Sequence, residues 1–163
     1  MVSPRKAYPV DAGFIPVFDR TGRGNVGHAL ETAVLVELER RRCEVTYVRM
    51  PRNREVDFLA RVDDGRLELI QVCADASDGV TAARELRALD EAGALFPAAT
   101  KRLLTRNLRG LPAHVPDGVE AQPAYEWMLT PPRSSARSMH SSDLPAAPAA
   151  GHAPAEVDSG LAY

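Results

Sequence analysis

The sequence predicts a single α/β domain in which helices flank a mixed β-sheet. Two segments repeat apolar residues at the helical period, and three consecutive segments between them are rich in β-branched and aromatic residues. The elements follow the order strand, helix, three strands, helix and strand, which is typical of an α/β sandwich. At 163 residues, 45% of them hydrophobic, the chain can form one core of ordinary domain size.

The first part of the chain is expected to hold a short strand at residues 7–10 and a polar, glycine-rich loop at 20–27. Asn25 is of the residue type that begins helices, and the helix is predicted to run to about Arg42. Its core-facing stripe contains Glu31, which is unexpected because burial of an unpaired charge is unfavourable. The apolar members of that stripe are Leu30, Val34, Leu35 and Leu38.

Three strands are predicted next, at 45–50, 55–62 and 66–73, with an Asp-Gly hairpin turn at 63–65. Alternation along the second strand places Asp57 on the opposite face from Phe58. The expected faces are Val56, Phe58, Ala60 and Val62 on one side, and Glu55, Asp57, Leu59 and Arg61 on the other. On the third strand Gln71 and Cys73 share a face.

The remaining elements are a helix at 79–95 with Asp78 as its cap, a strand at 101–106, a short strand at 119–122 and a helical turn at 125–129. The expected apolar side of the helix is Ala82, Leu86, Leu89 and Gly93, with Ala83 and Ala92 alongside. These elements define a domain over residues 1–130. Residues 131–163 contain five Pro, eight Ala and six Ser and are predicted to be a disordered tail.

Composition excludes several classes of protein. The net charge of −2 and the pI near 6.1 argue against a general nucleic-acid coat or membrane-surface protein. No apolar run reaches the roughly 18–20 residues of a membrane span, and the N-terminus does not resemble a signal peptide. Two cysteines form no disulfide framework, and the Gly-Lys-Ser/Thr of a phosphate loop is absent. We therefore expect a cytoplasmic, non-membrane protein.

Four residues in the first helix and the hairpin predict a site for phosphate chemistry. Glu31 lies on the helix, Asp57 on one strand, and Gln71 and Cys73 on the next strand. A helix carboxylate and a strand carboxylate are hard oxygen ligands of the kind that hold Mg²⁺ beside a phosphodiester. Fourteen residues separate Asp57 from Gln71, which suits two strands and a turn that return to one rim of the sheet.

The chain resembles a known family at these residues. It is similar to the domain of unknown function that follows the P-loop domain in many bacterial and archaeal AAA-type ATPases. That domain belongs to the restriction-endonuclease-like, or PD-(D/E)xK, fold group. The resemblance extends from Lys6 to Leu129, and it is carried by the segments 6–8, 11–13, 31–42, 55–58, 69–75 and 123–129, together with Thr81, Arg84, Glu85, Ala88 and Leu89.

The resemblance implies a role for each site residue. Glu31 takes the position of the helix acid and Asp57 that of the first strand acid, and these two would be the metal ligands. Gln71 occupies the position of the second acid. Cys73 stands where the family has its catalytic lysine, and a thiol of ordinary pKa is mostly neutral. Arg84 is the candidate substitute cation.

A second candidate surface is the arginine-rich segment at residues 40–54, which contains six arginines and one acid, Glu44. Arginines at a helix end and in the following turn are typical contacts for nucleic-acid phosphates. Arginines at a helix C-terminus also suit the helix dipole, so a solvated face is the alternative. The candidate nucleic-acid contacts are Arg40, Arg41, Arg42, Arg49, Arg52 and Arg54.

Two functions are consistent with this pattern. The first is a nuclease-like domain with a degenerate site that binds nucleic acid or a protein partner, and the second is an active Mg²⁺-dependent DNA endonuclease that uses Gln71 and a substitute cation. The resemblance also implies a P-loop ATPase as a partner or as a missing N-terminal half. Each residue alone fits a structural role as well, with Glu31 paired to an arginine, Asp57 at a strand edge and Cys73 as a small buried hydrophobe. A remnant with no function is the third alternative.

Overall fold

The computed structural model describes residues 26–51 and 54–131, together with the backbone of 157–158. The predicted strand at 7–10, the helix cap Asn25, Arg52 and nearly all of the predicted tail lie outside these residues.

The predicted α/β class with a mixed sheet and flanking helices is confirmed. The helices are α1 (Val26–Arg40), α2 (Gly79–Leu95) and α3 (Ala124–Leu129), and the strands are β1 (Glu44–Met50), β2 (Arg54–Arg61), β3 (Leu67–Cys73), β4 (Thr100–Thr105) and β5 (Val119–Pro123). The sheet order is β5-β4-β3-β2-β1, and a two-residue strand β6 (Val157–Asp158) adds to the β1 edge. The β1–β2 and β2–β3 pairs are antiparallel, whereas β3–β4 and β4–β5 are parallel.

Local chemistry sets several element boundaries. The Asp78 carboxylate accepts hydrogen bonds from the backbone N–H groups of Val80 and Thr81 at 3.0 and 2.9 Å, which caps α2 at its predicted start. Gly65 has a φ of +83°, so the β2–β3 turn requires a residue that tolerates the left-handed region. Arg42 also has a positive φ, 58°, directly after α1.

The two faces of the sheet carry separate apolar clusters. On one face α1 and α3 pack against the sheet, with Val34, Leu38, Phe58, Leu104 and Trp127 among the buried residues. On the other face α2 packs through Ala88, Leu89 and Ala92 against residues that include Leu59, Leu69 and Leu103. No described helix combines the length and apolar character needed to cross a bilayer.

The buried side of α2 differs from the predicted one. Ala83 is exposed, whereas Glu85 and Ala88 are buried beside Ala82 and Leu89. The prediction chose the stripe with the most apolar side chains. The predicted Leu86 is partly buried against the cluster under α2, and the buried Glu85 accepts a hydrogen bond from Gln71 on β3.

The predicted alternation of faces along β2 is wrong at Asp57. Thr46 pairs with Leu59 and Val48 with Val56, so two residues of β2, Asp57 and Phe58, lie opposite the single residue Tyr47. This is a β-bulge, which shifts the alternation by one residue. As a result Val56 joins the cluster under α2, while Phe58 and Ala60 join the cluster under α1.

Candidate functional site

One cavity of about 650 Å³ lies at the rim of the sheet between the first turns of α1 and the first half of α2. The start of β2 and the end of β3 form its floor. Glu31, Asp57, Gln71, Cys73 and Arg84, the five predicted catalytic positions, all line this cavity. The sequence therefore predicted which residues come together. Other lining residues are Gly27, His28, Arg54, Glu55, Val72, Ala74, Glu85, Arg87 and Ala88.

Asp57 lies where the β2–β3 ladder opens. The regular pairing ends at Phe58 and Ile70, and the next positions, Asp57 and Gln71, are joined through their side chains. The Asp57 carboxylate accepts the Val72 backbone N–H at 2.9 Å, and the Asp57 N–H donates to the Gln71 side-chain carbonyl at 3.4 Å. Both residues are buried. The spacing of fourteen residues thus brings them into contact, and the bulge opens the notch they occupy.

Gln71 connects the strands to α2. Its side-chain Nε2 donates to the Glu85 carboxylate at 2.8 Å, and the other oxygen of that carboxylate accepts from the Arg84 guanidinium, with Nε at 3.0 Å. Glu85 is 6% exposed, whereas the Arg84 side chain is 74% exposed. Arg84 therefore reaches the cavity from solvent and is paired with Glu85 within it.

Glu85 was not predicted as a site residue. The signal was present in the sequence, because Glu85 lies three residues after Ala82 and four before Leu89 on a helix. A carboxylate on an apolar stripe is the same pattern that drew attention to Glu31. Glu85 was missed because the predicted apolar side of the helix included Leu86, the next residue, and not Glu85.

Cys73 is a partly buried, free thiol. Its Sγ donates to the Asp75 carbonyl at 3.2 Å. Burial, and next the nearby Glu85 carboxylate, raise the pKa of the Cys73 thiol above its usual value. The group in the expected lysine position is therefore neutral near pH 7, and it places no positive charge on the cavity floor.

Two oxygen atoms at the cavity floor, one on Asp57 and one on Gln71, already take part in hydrogen bonds to the backbone. No cluster of three or more His, Cys, Asp or Glu side chains suited to a metal ion occurs within the described ranges. Magnesium needs near-octahedral oxygen coordination, so a metal ion bound at the Asp57 and Gln71 oxygens would share them with the backbone N–H groups.

Arg41, one of the predicted nucleic-acid contacts, is built into the core instead. Its side chain is 8% exposed and pairs with the buried Glu37 at 2.6 Å. The Nη2 atom of its guanidinium donates to the backbone carbonyls of Trp127 and Thr130 at 2.7 and 2.9 Å. The guanidinium also lies 4.2 Å from the centre of the Trp127 ring. Arg41 thus closes the C-terminal end of α3, where carbonyl groups lack helical partners.

The other arginines of the segment at 40–54 are mostly neutralised by neighbours. Arg40 pairs with Glu37 at 2.7 Å, Arg49 lies 3.9 Å from Glu55, and Arg54 pairs with Glu91. Arg42 is exposed after α1. Among the described arginines of this segment, the excess of positive charge is therefore smaller than the sequence alone suggests.

A second set of arginines surrounds the cavity. Arg54 comes from β2, while Arg84 and Arg87 lie one turn apart on α2, and all three line the opening. Arg87 is exposed. Only Arg54 and Arg84 were named from the sequence, and they were assigned to different surfaces. Their convergence depends on how α2 packs over the start of β2.

No known protein family, no curated protein and no solved structure matches this chain. What can be said of its activity therefore depends on the chemistry of the cavity and on the resemblance described above.

Proposed function

We propose that the chain is a restriction-endonuclease-like domain that no longer cleaves and that binds nucleic acid at the cavity rim. The observation that carries this proposal is the grouping of Glu31, Asp57 and Gln71 in one cavity with Cys73 on its floor. The order of these residues along the chain is the one that the resemblance implies for a helix acid, a strand acid and the following strand. The thiol replaces the one group that should supply positive charge.

Loss of cleavage is supported by electrostatics. Phosphodiester cleavage develops negative charge that a metal ion and a cation stabilise. A thiol with a raised pKa supplies no such charge, and the guanidinium of Arg84 is bonded to Glu85. One Asp57 carboxylate oxygen and the Gln71 side-chain oxygen each accept a backbone N–H group. The cavity therefore retains the acids without the groups that would make them catalytic.

Binding of nucleic acid is supported by the three arginines at the opening, Arg54, Arg84 and Arg87. Arg54 and Arg84 are paired with Glu91 and Glu85, so a phosphate at either of them would share the guanidinium group with a carboxylate. Guanidinium groups on two different elements can contact successive phosphates of one strand. The weakly negative net charge favours contact confined to this rim over coating of the whole surface. The resemblance alone adds a P-loop ATPase, fused to this chain or separate, as the partner that would present the nucleic acid.

The first test is cleavage. Purified protein is incubated with plasmid DNA and with single-stranded DNA and RNA in Mg²⁺ or Mn²⁺, and no cleavage is expected. Metal-dependent cleavage that disappears in Asp57→Ala would show an active endonuclease, the alternative function, and would overturn the loss of catalysis.

The second test is binding of a labelled oligonucleotide at low salt. Non-specific binding lies at about 10⁻⁴–10⁻⁶ M at physiological salt, so wild-type protein is expected to bind more tightly than that at low salt, and Arg87→Ala should reduce the salt dependence by about one unit of slope. Arg61→Ala is the matched control, because Arg61 lies at the far end of β2 and is 57% exposed. Equal effects of the two substitutions, or no binding at all, would refute a rim-specific site.

A further inference from the structure

We infer that Glu85 is a specificity-determining residue of the cavity. Its carboxylate favours an amide over an acid at position 71, and without that acid the cavity floor does not bind a divalent cation. The inference concerns the same cavity as the proposed function. It follows from side-chain geometry, however, and holds whether or not nucleic acid binds at the rim.

The hydrogen bonds of Gln71 require a donor and an acceptor on one side chain. The Nε2 group donates to Glu85 at 2.8 Å, and Oε1 accepts from the Asp57 N–H at 3.4 Å. Glutamine offers both functions, whereas an ionised glutamate offers acceptors alone. Both Gln71 and Glu85 are 6% exposed, so water does not readily replace a lost partner.

An acid at position 71 would oppose Glu85 directly. The atom that replaces Nε2 would be a carboxylate oxygen about 2.8 Å from a Glu85 oxygen, and like charges at that distance are strongly unfavourable in a buried site. Arg84 compensates one carboxylate, that of Glu85, through the guanidinium it presents from solvent. The carboxylate of Glu85 on α2 therefore favours a neutral side chain at position 71 on β3.

The same geometry explains why a cation is not favoured. Asp57 and Gln71 follow the last regular pair of β2 and β3, and the Gln71 side chain contacts the Asp57 backbone N–H. An acid at position 71 would therefore place a second carboxylate next to Asp57. Two adjacent carboxylates attract a divalent ion, which relieves their repulsion. With an amide at position 71, only Asp57 of this pair carries a negative charge.

The test is a double-mutant cycle of Gln71→Glu, Glu85→Gln and the reciprocal exchange that carries both. Without divalent metal, Gln71→Glu should lower the melting temperature by about 5–10 °C. The exchange restores a donor opposite an acceptor between positions 71 and 85, so part of that loss should be recovered; the repulsion between the new acid and Asp57 remains. Asp90→Asn removes a carboxylate from the exposed side of the same helix, and serves as the control for a change in charge on α2.

The second measurement is the response to Mg²⁺ or Mn²⁺. Gln71→Glu and the exchange should both gain thermal stability when metal is added, whereas wild type, Glu85→Gln and Asp90→Asn should not, because a ligand stabilises only the protein that binds it. The Gln71 side-chain NH₂ should also give ¹⁵N-resolved signals in which one proton is shifted by the carboxylate, and this shift should disappear in Glu85→Gln.

Three results would overturn the inference. Gln71→Glu could be as stable as wild type without metal, the exchange could be as unstable as Gln71→Glu, or wild type itself could be stabilised by divalent metal. Failure of the proposed function would be seen differently, as cleavage of DNA or as absence of oligonucleotide binding, with the stability cycle unchanged.

Discussion

Replacement of Arg41 by methionine separates a structural arginine from a nucleic-acid contact. The substitution keeps an unbranched apolar side chain but removes the guanidinium that bonds Glu37, Trp127 and Thr130. Hydrogen bonds to charged groups contribute roughly 1.5–3 kcal/mol each, and a cation–π contact about 0.5–2 kcal/mol. These contributions are not additive and water can reach the helix end, so we expect a loss of about 3 kcal/mol in the free energy of unfolding.

Urea denaturation followed by circular dichroism and by fluorescence measures this loss, since Trp127 is the single tryptophan and lies against the guanidinium. The melting temperature should fall by about 10 °C. Arg40→Met is the matched control: Arg40 donates two hydrogen bonds to the same carboxylate, but its side chain is 65% exposed, so its midpoint should fall clearly less than that of Arg41→Met. Equal destabilisation by the two substitutions would refute the argument, as would a larger effect of Arg41→Met on oligonucleotide affinity than on stability.

Three further predictions follow from the site and its surroundings. Cys73 should react slowly with iodoacetamide near pH 8, because burial and the nearby Glu85 carboxylate raise the pKa of its thiol. Glu85→Gln should shift the pH profile of alkylation to lower pH, and an unchanged profile would exclude Glu85 as a cause of the raised pKa. A hydrogen bond from Arg40, with a further contribution from Arg41, lowers the pKa of Glu37 below 4.5. The stabilisation from Glu37 should therefore be complete above that value and decrease as the pH falls through the lower, folded-state pKa, whereas Glu37→Gln should remove this part of the acid dependence of stability. Gly110→Ala should lower the melting temperature, because the added Cβ would lie 3.0 Å from the backbone carbonyl oxygen of Ala74. A melting temperature equal to that of wild type would show that the segments around Ala74 and Gly110 can separate at little cost.

The elements that the sequence predicted well have local causes. Asp78 begins α2 because its own carboxylate satisfies the first N–H groups of that helix. The β2–β3 turn follows from the glycine at position 65, which adopts a positive φ. The contact between Asp57 and Gln71 was also foreseeable, since a hairpin of fixed turn length pairs residues at a fixed separation.

The features that were not predicted arise from pairing between distant segments. Strict alternation along β2 assumed an uninterrupted ladder, but the bulge opposite Tyr47 shifts it by one residue. Arg41 belongs to an arginine-rich segment in the sequence, yet its partners, Trp127 and Thr130, lie more than 80 residues away. Nothing within the segment itself distinguishes Arg41 from Arg40.

The order of the elements, their approximate boundaries and the approach of Asp57 to Gln71 across the hairpin were encoded in short-range pattern, because caps, turns and periodicity act over a few residues. The state of the cavity was decided by tertiary packing. Only the docking of α2 over the start of β2 joins Glu85 to Gln71 and collects Arg54, Arg84 and Arg87 around one opening. Burial and hydrogen bonding depend on which atoms meet across the fold, and that information is distributed over the whole chain.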